Sequence, residues 1–208
     1  MVDTVETRIV AWLETFVHIE LPADREHVAA LIGSDGKKLA REVAARAGRT
    51  LDDQRAEQID RRSGEIYDRL NTNPRPIHGA RALCEALTAS TLQWAIATSS
   101  RREQVGASVA ALRLSNDPSI IDGTHVKQAK PAPDLLLLAA RELSTTPADC
   151  WYVGDSTWDM LASRACGMLA VAVPYGAATP AQLRRSGALT VTTLRGLLRE
   201  LRQRRFID

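Results

Sequence analysis

Three things are scarce in this chain of 208 residues, and each shortage closes off a class of protein. There are only three cysteines, Cys84, Cys150 and Cys166, set in apolar stretches without the paired spacing of a metal site or disulfide framework. They are expected to be buried thiols in a reducing compartment. No apolar run approaches the length of a membrane span, and the first residues have neither the basic region nor the apolar core of a signal peptide, so a cytoplasmic location is expected, with no membrane partner. Charge of one sign is also lacking. With 27 Lys and Arg against 25 Asp and Glu, the net charge of +2 offers no electrostatic ground for a nucleic-acid partner. The basic tail "RGLLRELRQRR" is expected to be a solvated helix end. The histidines, His18, His27, His78 and His125, share no metal-ligand spacing, and no internal repeat or low-complexity tract is present.

The remainder has ordinary globular composition, 45% hydrophobic and 25% charged, in a length that suits one α/β domain with an insertion or a core with a small satellite. From Val5 to about Leu70 the apolar residues recur at three and four positions. Val5, Ile9, Trp12, Leu13, Phe16 and Val17 share one helical face, and Val28, Leu31 and Ile32 share another. "SDGKKLAREVAARAG" opens on capping residues and stops at Gly48, while "TLDDQRAEQIDRRSGEIYDRLN" starts with Thr50 and acids in its first turn, so about four helices are expected. Two prolines and a glycine in "NTNPRPIHG" break this pattern.

Beyond the break, short apolar and partly β-branched runs at 92–97, 119–122, 150–154, 168–174 and 188–191 alternate with helical segments. That alternation predicts a parallel sheet with crossover helices, an α/β doubly wound core. Two domains follow: a helical one over residues 5–75 and an α/β core over 76–208.

Three stretches carry candidate chemistry. "AIATSS" ends a strand in Thr98, Ser99 and Ser100, where hydroxyls and free N–H groups at a helix start suit phosphate oxygens, although the same residues also serve as a plain N-cap. "KPAPD" sets Lys130 ahead of Asp134, which is expected to cap a leucine-rich helix. "YVGDSTWDM" turns a strand into a helix at Gly154, leaving Asp155 at the sheet's carboxyl edge and Asp159 one helical turn on. Two acids this close are costly unless a cation or donors compensate them.

Taken in order, a strand-end hydroxyl, a lysine and a paired-carboxylate strand end followed by "RACGM" resemble the second, third and fourth motifs of the haloacid dehalogenase-like (HAD) hydrolase superfamily. "PIHGARALCEAL" is similar to the turn and helix before that family's second motif, and the helical segment is similar to the cap domain of its phosphoglycolate phosphatase and β-phosphoglucomutase branch. The resemblance implies a Rossmann-like core and Mg²⁺ bound at Asp155 and Asp159, with Asp155 the ligand and Asp159 its support. It also implies catalytic and phosphate-binding roles for Thr98 and Lys130, with Ser99 beside them, and a small phosphorylated metabolite as substrate for a monomer or homodimer. Ser34, Lys37 and Lys38 in "IGSDGKK" are the cap residues expected to set specificity, with Arg101 and Arg102 as further anion contacts.

The family's first motif, a strand followed by Asp-x-Asp-Gly-Thr, is matched only at its tail by "MVDT". By that resemblance the nucleophilic aspartate, the acid/base aspartate and the central strand between those ending at Thr98 and Asp155 would lie upstream of Met1. The chain as given is then expected to be inactive, with Asp3 the first candidate replacement. The intact parent would be a phosphatase working through an aspartyl-phosphate. A phosphosugar mutase and a noncatalytic phosphate-sensing or protein-binding relative are the alternatives.

Overall fold

A computed structural model describes residues 1–100, 102–122, 126 and 128–208. A two-residue strand β1 (Val2–Asp3) leads into four helices: α1 (Val5–His18), α2 (Arg25–Leu31), α3 (Gly36–Arg46) and α4 (Asp53–Leu70). Aspartates set three of the starts. Asp24, Asp35 and Asp52 accept the N–H groups of His27, Lys38 and Arg55 at 2.8, 2.9 and 2.7 Å. The cap of α4 is therefore Asp52 rather than Thr50, because Asp52 stands immediately before the first helical residue, where its carboxylate reaches the first-turn N–H. Ile9, Trp12 and Phe16 of α1 are buried with Val28, Leu39, Val43 and Ile59, and Trp12 stacks on Phe16 with ring centroids 5.4 Å apart. This is the helical face expected from the periodicity.

Strand β2 (Arg75–Pro76) pairs antiparallel with β1, joining the two ends of the helical stretch. Then follow α5 (Ala80–Ala89), β3 (Ile96–Thr98), α6 (Arg102–Leu112), β4 (Ile120–Asp122), α7 (Asp134–Glu142), β5 (Trp151–Gly154), α8 (Thr157–Cys166), β6 (Leu169–Ala172), α9 (Pro180–Arg185), β7 (Thr190–Val191) and α10 (Leu194–Gln203). Here all strand pairs are parallel: β3 with β4 (Ala97 opposite Ile121), β5 with β6 (Val153 opposite Val171) and β6 with β7. Among the described residues they form two separate sheets, of two and three strands, with no ladder between β3 and β5.

Helices cover both faces. Leu83 of α5 and Leu194, Leu197 and Leu201 of α10 form one layer with Trp151 and Val153, and Leu135, Leu136, Ala139 and Ala140 of α7 form the other with Ala97 and Tyr152. The arginines of the basic tail lie on the exposed side of α10, whose leucines are buried. Strands are shorter than the apolar runs suggest; the first expected run, 92–97, becomes Ile96–Thr98, because the ladder extends only as far as β4 supplies partners. Of the cysteines, Cys84 is buried, but Cys150 and Cys166 are half-exposed, contrary to the expectation, because they flank strand and helix ends rather than their middles. Among the described residues no helix is long and apolar enough to cross a membrane.

Candidate active site

The turn from β5 into α8 is built around Asp159. Ser156 caps α8, its Oγ accepting the Asp159 N–H at 3.1 Å, while Asp159 Oδ2 accepts the Ser156 N–H at 3.0 Å. The same Oδ2 accepts from Ser156 Oγ at 2.7 Å and from the Asp155 N–H at 3.2 Å. Its other oxygen accepts from Lys130 Nζ at 2.7 Å and Tyr152 OH at 3.1 Å. Five donors thus converge on one carboxylate that is 5% exposed. Gly154 makes room for it: a Cβ there would lie 2.5 Å from the Asp159 Cβ. Gly154→Ala is expected to push Asp159 off its donors and cost about 1–3 kcal/mol as an overpacked site does, measured as a lowered thermal midpoint.

Electrostatics separates the two acids. Burial raises the Asp159 pKa, but the Lys130 charge and the hydrogen bonds from Lys130 and Ser156 outweigh it, so the carboxyl lies below its ordinary range. Burial alone would lower the Lys130 ammonium, yet Asp159 and then Tyr152 more than offset it, and its pKa is raised. Burial and then Asp159 raise Tyr152. Burial and then Asp159 also raise Asp155, against the opposing pull of the Met1 amine and Lys130.

Thr98 and Ser99, at the end of β3, share one cavity of about 1800 Å³ with Lys130, Asp155 and Asp159. Thr98 Oγ1 accepts the Ser100 N–H at 3.1 Å, a turn bond that also fits a plain structural role. The structure therefore joins Lys130, Asp155 and Asp159 into one hydrogen-bonded group and sets Thr98 and Ser99 on the same cavity wall system. Among the described residues no cluster of three or more His, Cys, Asp or Glu side chains is arranged to hold a metal. Asp3 is exposed and does not line the cavity.

The helical segment sits over this edge. Gly33, with φ of +94°, lies so close that a Cβ would be 2.7 Å from Ser156 Oγ, and Trp158 Nε1 donates to the Ala30 carbonyl at 3.1 Å. Lys38 Nζ stands 4.4 Å above the Trp158 ring and does not line the cavity, so it clasps α3 to α8. Ser34 and Lys37 do line it, although Ser34 Oγ donates to the Leu31 carbonyl at 2.7 Å and Lys37 stands 3.8 Å from Glu57. Arg102 is exposed and away from the cavity, and Arg101 lies outside the described residues.

Sequence reasoning missed Arg8 and Tyr152. Arg8 Nη2 donates to Ser100 Oγ at 2.8 Å and its guanidinium carbon lies 3.9 Å from the Tyr67 ring centroid, tying α1 to the loop after β3. Its signal was a cation four residues before Trp12, on the edge of the apolar stripe of α1. Tyr152 could have been found by strand alternation, since Trp151 and Val153 face one helical layer and Tyr152 the other.

The profile model for haloacid dehalogenase-like hydrolases matches residues 1–173, so the chain belongs to that family. Within it, the relatives fall in the phosphoglycolate phosphatase and β-phosphoglucomutase branch. The chain is 28% identical over 180 residues to β-phosphoglucomutase of Bacillus subtilis (strain 168), covering 84% of this chain and 79% of that one. It is also 28% identical over 181 residues to a fructose-1-phosphate phosphatase of Escherichia coli (strain K12), covering 83% and 90%. The crystal structure of a hydrolase from Pseudomonas syringae superposes with a TM-score of 0.90 at 30% identity, over 98% of this chain and 94% of that one. The α/β fold with parallel strands and flanking helices is the family's.

Proposed function

We propose that the chain carries the phosphate-binding and metal-binding groups of a phosphatase acting on a small phosphomonoester, with residues 5–75 as a cap over an α/β core. One observation carries this reading: a fully satisfied Lys130–Asp159 pair holds Asp155 at the edge of the cavity that Thr98 and Ser99 also line. Thr98, Ser99 and nearby N–H groups would hold the phosphoryl oxygens, and the Lys130 ammonium would offset the charge gathered there. The relatives' names, a sugar-phosphate mutase and a sugar-phosphate phosphatase, support a small phosphorylated sugar or metabolite as substrate.

Asp155 fits a Mg²⁺ ligand. Its carboxylate is disfavoured by burial and by Asp159, a cost that a cation relieves, whereas Asp159 has its oxygens taken by five donors and supports from behind. Mg²⁺ characteristically combines one or two carboxylates with substrate phosphate oxygens and water, and when bound it would neutralise the phosphate's charge. With Asp159 saturated and Asp155 directed at a cation, neither serves as the nucleophile of an aspartyl-phosphate route. The 208-residue chain is therefore expected to bind a phosphate analogue without turning over phosphomonoesters.

Titration with orthovanadate, followed by intrinsic tryptophan fluorescence, to which Trp158 beside the capping serine contributes, tests this reading. Binding should require Mg²⁺, lose that requirement in Asp155→Asn and weaken about tenfold in Thr98→Ala, the value of one lost hydrogen bond to a charged group. Equal binding with and without Mg²⁺ would remove Asp155 from the proposed role, and an unchanged affinity in Thr98→Ala would remove Thr98.

A further inference from the structure

Helices α5 and α10 each turn one face to the cavity described above and another to a second groove. Leu83 and Leu87 of α5 and Leu197 and Leu201 of α10 line the cavity, whereas Arg81 and Glu85 of α5 and Arg195, Arg199 and Arg202 of α10 line the groove. Residues 72–79 and the end of α6 complete it, around a volume of about 1310 Å³, and it shares no lining residue with the cavity.

The charge of the groove has one sign. Arg75, Arg81, Arg113, Arg195, Arg199 and Arg202 line it against a single acid, Glu85, a net of +5 in a chain whose total is +2, so the rest of the molecule is net negative. Arg81 Nε donates to Glu85 at 3.0 Å, and Arg202 Nε to the Asp208 main-chain oxygen at 2.8 Å. Arg75, Arg113, Arg195 and Arg199 have no acidic partner among the described residues. Like charges gathered along a concave wall focus their field and concentrate anions there.

The local backbone fixes where these arginines stand. Arg195 and Arg199 lie one turn apart on α10, about 6 Å along its axis. Gly79, at φ of +91°, brings the turn before α5 so close that a Cβ would stand 2.7 Å from Arg195 Cγ, which holds the stem of Arg195 against that turn. Arg113 leaves α6 at φ of +50°, the left-handed conformation that glycine usually supplies past a helix end. Much of the remaining lining is small and apolar: Pro74, Pro76, Ala82, Ala107, Ala110 and Ala111. No Phe, Tyr or Trp is among the described lining residues.

An occupant that uses this whole lining carries several anions and several small apolar groups. A peptide supplies both, and the arginine fork takes a carboxylate by two parallel hydrogen bonds. A compact polyphosphate has nothing to set on the prolines and alanines, and a single-stranded nucleic acid finds no aromatic platform on which to stack its bases. We propose that the groove docks an acidic segment of a partner protein, one that alternates Glu or Asp with small apolar residues. Its carboxylates meet Arg75, Arg113, Arg195 and Arg199, and its apolar side chains lie on the proline and alanine floor.

The test uses the 208-residue chain and a fluorescein-labelled peptide of about eight residues alternating Glu and Ala, roughly 26 Å long when extended. Binding is read as anisotropy without Mg²⁺ and is expected to saturate. Arg195→Glu with Arg199→Glu should weaken it at least tenfold, because two attractive pairs become repulsive. Arg46→Glu with Arg49→Glu, the same charge change on exposed arginines outside the groove, should alter it less than twofold. A Glu and Ser peptide of equal length and charge should bind about threefold more weakly, having no methyl groups for the floor. Tripolyphosphate and an oligothymidylate of equal length should displace the labelled peptide only at higher concentrations than the unlabelled peptide does. All four reversed arginines are exposed, so the variants should melt with the parent. Absence of saturable binding, equal weakening by the two charge-reversed pairs, equal binding of the Ser peptide, or easier displacement by tripolyphosphate or the oligonucleotide would each overturn the proposal. So would a chain that elutes as a dimer and is dissociated by Arg195→Glu with Arg199→Glu, since a second copy would then hold the groove.

Discussion

Lys130→Met should destabilise the protein by about 3–5 kcal/mol, the range for removing one partner of a buried ion pair. Lys130 and Asp159 are 6% and 5% exposed, so water cannot replace the lost ammonium. Asp159 would keep the N–H and hydroxyl donors of Ser156 and Tyr152 but lose the counter-charge 2.7 Å away. Against a typical total of about 5–15 kcal/mol, that loss is a large share of the fold's stability. The double variant Lys130→Met with Asp159→Asn should recover part of it, because no unpaired charge is left buried. Chemical denaturation of the two single variants and the double gives the coupling directly. A Lys130→Met protein as stable as the parent would mean the pair contributes nothing net, and the buried cluster would need another account.

Acidification should unfold the protein through the same carboxylate. The folded-state pKa of Asp159 is depressed, so its contribution is fully present above the ordinary value of about 3.9 and is lost as pH falls through the folded value. Asp155 has the opposite sign: its raised pKa means the folded state binds its proton more readily than the unfolded one, so its ionisation opposes folding and protonation relieves it. From neutral pH downward the thermal midpoint should first rise slightly as Asp155 protonates, then fall steeply below about pH 4 as Asp159 is neutralised and Lys130 is left without its partner. Asp155→Asn should abolish the shallow rise, leave the steep fall, and melt above the parent at pH 7. A monotonic fall from pH 7 in the parent, or a destabilised Asp155→Asn, would contradict the assignment of which acid is strained.

Much of this was open to reading in the residues themselves. Helical spacing identified the buried stripe of Ile9, Trp12 and Phe16, and aspartates near the predicted starts became the caps of α3 and α4. Both follow from interactions within one or two turns, which the local sequence contains entire. Thr98, Lys130, Asp155 and Asp159 were singled out as candidates by their residue types and their order along the chain, and all four line one cavity. The two-residue strands β1 and β2 were not foreseen, since two residues show no period.

Sequence alone therefore determined the elements, their alternation and the family to which the chain is similar. Only tertiary structure decided which groups meet the acids. It gave the Asp159 oxygens five donors, one of them from Lys130 29 positions away, while Asp155 beside it lines the same cavity. It also brought Arg8 to Ser100 across 92 positions, turned Lys38 onto Trp158, and set β3 and β5 along one cavity. These outcomes depend on which distant groups meet once the layers pack, and on how much water remains between them, quantities that no local pattern of residues encodes.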